Sequence, residues 1–205
     1  MPRHIRIGLI VSAVVAAAAL YYFVDTAQQV QAPAAVDAEP AFSEPDAPLY
    51  EPTDPPVEVR IFFPARSNDI LLRSRDITIF GSASPENRSR QIIEHLAGGA
   101  DDDLLFGRLP EGTRLNQVFI SEDGTAFLDF NSALADNHPG GILPEQATLY
   151  AIVNSLAYNL PEIDRVKILI GGVERETLAG HCMLMLPLEL DLSITDIAPA
   201  EAAAA

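Results

Sequence analysis

The widest apolar pattern in the chain lies in residues 144–172. Apolar side chains recur there at the spacing of one helix face: Leu149, Ile152, Val153, Leu156 and Leu160. Pro144 suits the start of a helix, Glu145 complements the positive N-terminus of that helix, and Pro161 cannot continue it. We therefore predict a helix over residues 144–160. A strand should follow over residues 166–170, because this run is apolar on nearly both faces, as interior strands are.

Weaker patterns predict the remaining elements. Period-two alternation predicts a strand over residues 57–63, and a second, broken strand follows within residues 70–80. Ser84, Pro85 and Glu86 form a start signal for a helix over residues 85–97. The pattern then predicts a hairpin of residues 115–120 and 125–130 around an Asp-Gly turn, a loop over 131–143, and one or two closing strands within 173–190. Together these elements indicate an α+β fold with two helices packed on one face of a mixed β-sheet.

The first 24 residues predict a membrane anchor. Arg3 and Arg6 precede residues 7–24, which carry no charge and as a helix would span roughly 27 Å, close to the thickness of a bilayer core. The positive flank stays inside, so we expect a single pass through the cytoplasmic (inner) membrane with the C-terminal domain outside the cytoplasm. A cleaved signal peptide is the alternative, since the alanines at 17–19 resemble a cleavage site. A lipoprotein signal is disfavoured, because no cysteine lies nearby.

Composition separates a spacer and a tail from the folded domain. Residues 25–56 hold seven prolines, seven acidic residues and no basic residue. Such a segment buries too little apolar surface to fold, so it is predicted to be a disordered linker that reaches several nanometres. The domain itself is predicted over residues 57–190, and residues 191–205 form an acidic, alanine-rich tail.

Charge and cysteine content exclude several classes of function. The net charge of the chain is −16, and about half of it belongs to residues 57–190. Nucleic acid is not an expected partner, because phosphate binding needs clustered lysine and arginine. The only lysine, Lys167, lies within a predicted strand, and the only cysteine, Cys182, excludes an intramolecular disulfide and a multi-cysteine metal site.

Few side chains point to chemistry. The histidines are His4, His95, His138 and His181, and His181 adjoins Cys182, which suggests a base next to a nucleophile. Consecutive strand residues point to opposite faces, however, and no third orienting group is evident in the sequence. We therefore predict no catalytic residue, no metal ligand and no cofactor-binding residue.

Other polar residues receive structural interpretations. The run Asp101–Asp103 lacks the spaced oxygen ligands of a calcium loop, so a solvated turn is favoured. Asp129 is either an exposed strand residue or the acceptor of a neighbouring backbone N–H. Asn154 lies beside the apolar stripe and is expected to bond to a sheet edge. Gly171 and Gly172 form a turn, because neither Lys-Ser/Thr nor a helix follows them as in a phosphate-binding loop.

The order of several short motifs resembles the GerMN domain, also called the sporulation and spore-germination domain. In chain order these are HLAGG at 95–99, LPEGT at 109–113, a hairpin ending in Leu128-Asp129-Phe130, VNSL at 153–156, the strand and turn at 166–172, and ETLAGH at 176–181. The resemblance covers residues 57–190. The chain departs from the pattern at Ser155, where threonine is usual, and at Gly171, where an acidic residue is frequent.

The resemblance implies an exported protein attached to the cell envelope by a lipid or a membrane helix. It carries over no catalytic residue, and because the chain has one copy and no spore-specific signal, a role in sporulation does not follow from the resemblance. We expect a non-enzymatic, membrane-tethered envelope module that binds an envelope protein or peptidoglycan. The alternative is an accessory subunit of a cell-wall hydrolase, or a hydrolase itself. Self-association through sheet or helix faces is a third hypothesis.

Overall fold

The structure is a computed structural model that describes residues 53–65, 71–100 and 107–197. Its elements in chain order are strands β1 (Pro56–Phe63) and β2 (Arg73–Phe80), helix α1 (Pro85–Gly98), strands β3 (Leu115–Ile120) and β4 (Thr125–Phe130), helices α2 (Ala133–Asp136) and α3 (Ile142–Ala157), strands β5 (Arg165–Ile170) and β6 (Leu188–Glu189), and a 3₁₀ turn (Leu192–Ile194). The α+β class is therefore confirmed.

The strands form two sheets, whereas the sequence suggested one. Strands β1 and β2 make an antiparallel pair, and the other four form a mixed sheet in the order β3-β4-β5-β6. Within that sheet β4 and β5 are parallel and the other pairs are antiparallel. Helices α1 and α3 pack against each other and contact strands of both sheets. The predicted mixed sheet is thus present as the four-stranded sheet. The prediction is wrong in placing β1 and β2 in that sheet, because they form a separate pair.

Side chains on α3 and just beyond its end bind the backbone of β1, which explains why this strand does not join the larger sheet. The Asn159 amide, just beyond the helix, accepts a hydrogen bond from the Arg60 backbone N–H at 2.8 Å and donates to the Arg60 carbonyl at 2.7 Å. The Phe62 N–H donates to Ser155 Oγ at 2.9 Å. Helix side chains therefore satisfy backbone groups of β1 that a neighbouring strand would otherwise pair.

Two further amide side chains act in the same way. Gln91 of α1 both accepts from and donates to the backbone of Phe80 at 2.9 Å. Asn154 of α3 accepts from the Asp191 N–H at 3.0 Å and donates to the Asp191 carbonyl at 2.7 Å. Asn154 thus has the structural role expected of it, with a backbone segment just beyond β6 as its partner.

The helix boundaries follow local signals closely at α1 and less closely at α3. Ser84 caps α1 by accepting from the Asn87 N–H, and Gly99 follows the helix with φ of 78°. Helix α3 begins at Ile142, two residues before the predicted start, and ends at Ala157, three residues before the predicted end. Pro144 fits at its third position, because the first N–H groups of a helix have no intrahelical acceptor.

The turn between β3 and β4 requires glycine. Gly124 has φ of 77°, and a Cβ there would collide with the Asp164 carboxylate. The Gly124 carbonyl also accepts hydrogen bonds from the Asp164 and Arg165 backbone N–H groups, which joins the hairpin to the start of β5.

Other connections differ from the predictions. The predicted loop over residues 131–143 contains the short helix α2, and the predicted closing strands reduce to β6 and isolated bridges within residues 171–187. Residues 191–197, assigned to the tail, pack on the domain: Leu72 bridges Thr195, and Ile197 is buried.

Several predictions lie outside the described residues: the anchor at 7–24, the linker except residues 53–56, the Asp101–Asp103 run, His4 and the last eight residues. Among the residues that are described, no helix has the length and apolar character needed to cross a bilayer.

Candidate functional site

The structure joins His181 and Cys182 to a buried carboxylate at the start of α3. Glu145 is fully buried, and its Oε1 lies 2.8 Å from His181 Nδ1. Its Oε2 accepts the backbone N–H groups of His181 at 3.1 Å and Cys182 at 2.8 Å. Sequence reasoning assigned Glu145 only to the helix N-terminus. Its partners lie 36 and 37 residues away, and no local signal indicates them.

Hydrogen bonding keeps Glu145 ionised. Burial raises its pKa, but hydrogen bonds from the Cys182 N–H, the His181 ring and the backbone of His181 and Ala179 together lower it below the ordinary value. The positive end of α3 acts in the same direction, because Glu145 lies in the first helical turn.

The Cys182 thiol is in a poor environment for nucleophilic chemistry. Burial raises its pKa, and the negative charge of Glu145 raises it further. A reactive cysteine needs the opposite, a nearby positive charge that favours the thiolate. The thiol instead lies 3.6 Å from the Ile142 carbonyl. Among the hydrogen bonds of the described residues, the ring of His181 is bonded to Glu145 through Nδ1.

His138 is a neutral structural histidine. Its Nδ1 accepts from the Gly140 N–H at 3.0 Å, so the proton lies on Nε2, which is 3.0 Å from Thr148 Oγ1. Burial lowers the pKa of His138, and the nearby Glu145 raises it in part. The remaining described histidine, His95, is exposed in the last turn of α1.

A second buried charge, the ammonium of Lys167, binds the connection between β5 and β6, the same connection that carries His181 and Cys182. Lys167 of β5 is 3% exposed, and its Nζ donates to the carbonyls of Leu184 at 2.9 Å and Met185 at 2.6 Å. The Glu174 carboxylate completes its shell at 3.2 Å. A buried ammonium is tolerated only with such partners, so Lys167 fixes the loop to the outer face of the sheet.

Asp129 fixes the start of this loop. It is buried, and its Oδ1 accepts the Gly172 N–H at 2.6 Å while Oδ2 lies 3.3 Å from Asn116 Nδ2. Of the two interpretations left open by the sequence, backbone binding is therefore the one that the structure shows. Gly171 and Gly172 have φ of 63° and 76°, as a turn requires.

The connection from β5 to β6, residues 171–187, is called the anchored loop below. It is longer than the roughly 12–15 residues above which connections without regular structure are uncommon and mostly functional. Leu178 and Leu184 are buried in the core, and the Leu184 N–H donates to the Glu176 carbonyl. The loop is therefore held at several points although it lacks regular structure.

Large apolar side chains on this loop face solvent. Leu186 is 70% exposed, and Val173 and Met183 are about as exposed; Met185 is 45% exposed. Ile142 and Leu143, in the first turn of α3, are also exposed, and the contact between Cys182 and the Ile142 carbonyl places them beside the loop. We call Ile142, Leu143, Val173, Met183, Met185 and Leu186 the apolar surface.

A separate acidic groove of about 560 Å³ lies near the other end of α3. It is lined by the carboxylates of Glu86, Glu122, Asp123, Glu162 and Asp164. Several of these have structural partners: Glu86 accepts from the Ser84 hydroxyl, and Glu162 pairs with Arg88 at 2.7 Å. Among residues 53–65, 71–100 and 107–197, no three His, Cys, Asp or Glu side chains are placed so that they could hold a metal ion together.

A protein-family model described as Germane, sporulation and spore germination, matches residues 60–176, more than half of the chain. The chain belongs to the Germane family. The match includes Glu145, Lys167 and Asp129, whereas His181 and Cys182 follow it. The resemblance to GerMN domains drawn from the short motifs is confirmed.

A solved structure with a TM-score above 0.5 supports the same fold for this Germane domain. The chain is similar to the tandem GerMN domains of the sporulation protein GerM from Bacillus subtilis, with 21% identity and a TM-score of 0.51. That match covers 66% of this chain and 47% of the tandem structure. The first GerMN domain of the same protein gives 23% identity and a TM-score of 0.47, covering 66% of this chain and 98% of that domain. A search of curated protein sequences found no match.

Proposed function

We propose that this chain is a non-enzymatic, membrane-tethered envelope module that binds a protein partner or cell-wall glycan. The observation that carries the proposal is the anchored loop. Buried Glu145 and Lys167 hold it on opposite sides, and it presents exposed apolar side chains that add nothing to the core. Exposed apolar clusters of this kind mark interaction sites.

The one arrangement that resembles an active site supports binding over catalysis. The carboxylate of Glu145 orients His181, but it also binds the two backbone N–H groups of the loop and raises the pKa of the Cys182 thiol. These contacts explain the Glu145–His181 pair as a means of positioning the loop. Membership of the Germane family agrees with this interpretation, since its description names sporulation and spore germination and no reaction.

The membrane anchor and spacer give the binding module a defined location. A helix over residues 7–24 confines the domain to a layer next to the membrane, and an acidic linker of several nanometres sets its reach. Tethering of this kind raises the effective concentration of the domain for targets within that layer.

A two-part binding experiment tests the proposal. The full-length chain in detergent is incubated with purified peptidoglycan, which is then sedimented, and in parallel it is isolated from gently cross-linked envelopes. We expect stoichiometric association with one of the two. Association with neither, in preparations where the domain is folded by circular dichroism, would contradict a binding role.

The hydrolase alternative is tested on the same samples. Release of soluble fragments from purified peptidoglycan by the isolated full-length chain would favour an enzyme. The combined variant His181→Ala and Cys182→Ser is the control, because His181 is exposed and Cys182 is only partly buried where it packs against the core. We expect no fragment release from the parent or the variant. Release that the variant abolishes would overturn the proposal.

A further inference from the structure

We propose that the apolar surface is a docking site for a protein segment that combines apolar side chains with lysine or arginine. The inference rests on the proposed function and specifies the partner. It follows from three properties of the anchored loop: its fixed conformation, the kind of side chains that it exposes, and the charge around them.

The loop is held in place before any partner arrives. Asp129 binds it at Gly172, Glu145 binds the N–H groups of His181 and Cys182, and Lys167 binds the carbonyls of Leu184 and Met185. All three anchors are buried side chains that project from regular elements. Ordering a loop costs binding free energy, and a preformed loop avoids most of that cost.

The side chains around these anchors separate into two sets. Leu178 and Leu184 are buried and hold the loop on the core, whereas Met183 and Met185, on either side of Leu184, face outward with Leu186. Met183, Met185 and Leu186 therefore present apolar surface to solvent. Methionine is flexible and polarisable, and it is frequent at surfaces that bind protein segments.

The chemistry of this surface favours protein over glycan. Sugar rings are bound by stacking on aromatic side chains together with polar groups that recognise hydroxyls, in line with the general composition of ligand sites. The apolar surface holds aliphatic and thioether side chains only, and the chain has no tryptophan. Burial of these side chains against a complementary apolar segment gives a larger gain in binding free energy than contact with a polar glycan.

Charge around the surface selects a basic partner. Exposed Glu176 and Glu189 lie on and next to the loop, which also exposes one guanidinium, Arg175. Glu174 is exposed as well, but its carboxylate pairs with the Lys167 ammonium. The domain as a whole is strongly acidic, which repels a second copy of the chain and the anionic surface of a membrane. A segment whose apolar side chains are flanked by lysine or arginine matches both features.

Site-specific photo-cross-linking in the native envelope tests the assignment. A benzophenone side chain replaces Met183 or Leu186 in the full-length chain, and the matched control carries it at Phe119, which is 62% exposed on β3. We expect a discrete protein adduct from the two loop positions and none from Phe119. Peptide mapping of the adduct should locate the cross-link in an apolar segment with flanking lysine or arginine.

A binding measurement then checks the energetics. The mapped segment is synthesised, and its affinity for the full-length chain is measured by fluorescence anisotropy. The variant Met183→Ser with Leu186→Ser should bind at least about ten-fold more weakly, because central apolar contacts dominate such interfaces. Phe119→Ser should bind as the parent does. The pair Glu176→Lys and Glu189→Lys should weaken binding and reduce its salt dependence.

The outcomes separate this inference from the proposed function. Adducts to glycan, to a second copy of the chain or to an acidic segment would overturn the inference while leaving a binding module intact. Equal adduct yields from the loop and Phe119 positions would overturn it as well. Absence of any binding in both the sedimentation and the envelope experiments would instead contradict the proposed function itself.

Discussion

A single carboxylate accounts for the path of the loop near α3. Glu145 is buried, yet it stays ionised because its two oxygens accept three hydrogen bonds from the segment that carries His181 and Cys182. Two of those donors are the backbone N–H groups of His181 and Cys182. These hydrogen bonds therefore stabilise the attachment of the loop to α3, which explains them better than a role in a reaction does.

Replacement of Glu145 by glutamine tests this role. Glutamine is neutral and has one acceptor oxygen, so the bonds from the two backbone N–H groups lose their charge assistance, and the His181 ring faces an NH₂ group in place of an acceptor. We expect the free energy of unfolding at pH 7 to fall by about 1–3 kcal/mol, measured by urea denaturation. The exposed Glu122→Gln is the matched control and should leave it unchanged.

The pH dependence of stability gives a second measure of the same residue. The folded-state pKa of Glu145 is lowered, so its contribution is complete above the unfolded-state pKa of about 4.3 and is lost as the pH falls through the folded-state value. Glu145→Gln should lack this part of the acid transition. Coincident acid transitions for the variant and the parent would show that the carboxylate does not support the folded state.

At the scale of elements, α3 organises the domain. It contacts β1, β5, β6 and α1, and its side chains also bond to backbone outside the helix. Asn154 holds the segment after β6, and Ser155 holds β1. The helix therefore connects the two sheets through its polar side chains as well as through its apolar stripe.

Leu156 tests the core assignment of this helix. It is fully buried, so Leu156→Asp places a carboxylate in an apolar environment and should cost at least about 3 kcal/mol of a total of about 5–15 kcal/mol. Leu143→Asp is the matched control, because Leu143 lies on the same helix but is exposed. Thermal melts should show a large loss for the first and little change for the second. Similar melting temperatures for both variants would contradict the assignment.

Sequence patterns predicted these elements well and their partners poorly. The apolar stripe that includes Ile152 and Leu156 indicated α3, and alternation indicated β1, because such periodicity reflects which face of an element is buried. Pairing is different: nothing in residues 57–63 shows that Asn159 and Ser155 would bind that strand's backbone. The distant partners of Glu145 were missed for the same reason, since an acid at a helix start already has a sufficient local explanation.

At the scale of the whole molecule, the predicted anchor decides where the apolar surface acts. Arg3 and Arg6 beside residues 7–24 predict a cytoplasmic N-terminus with the domain on the other side of the membrane. The acidic linker between the predicted anchor and the domain predicts that the domain reaches targets several nanometres from the bilayer.

Reporter fusions after Pro56 test this topology. A fused reporter that functions only outside the cytoplasm should give a signal. A fused reporter that functions only in the cytoplasm should give none. Replacing Arg3 and Arg6 by glutamate removes the charge bias and should lower export of the first reporter. Activity of the cytoplasmic reporter alone would contradict the predicted orientation.

The side chain of Lys167 can be used to measure how often the anchored loop detaches from the sheet. It is the only lysine among 205 residues, and its ammonium is enclosed by the carbonyls of Leu184 and Met185 and the carboxylate of Glu174. Amine-selective acylation of this side chain requires the loop to lift from the sheet and the ammonium to lose its proton. The labelling rate at a fixed pH therefore reports the free energy of that opening. A bound partner that keeps the loop closed slows the same reaction, so lysine acylation in intact cells distinguishes occupied from vacant molecules.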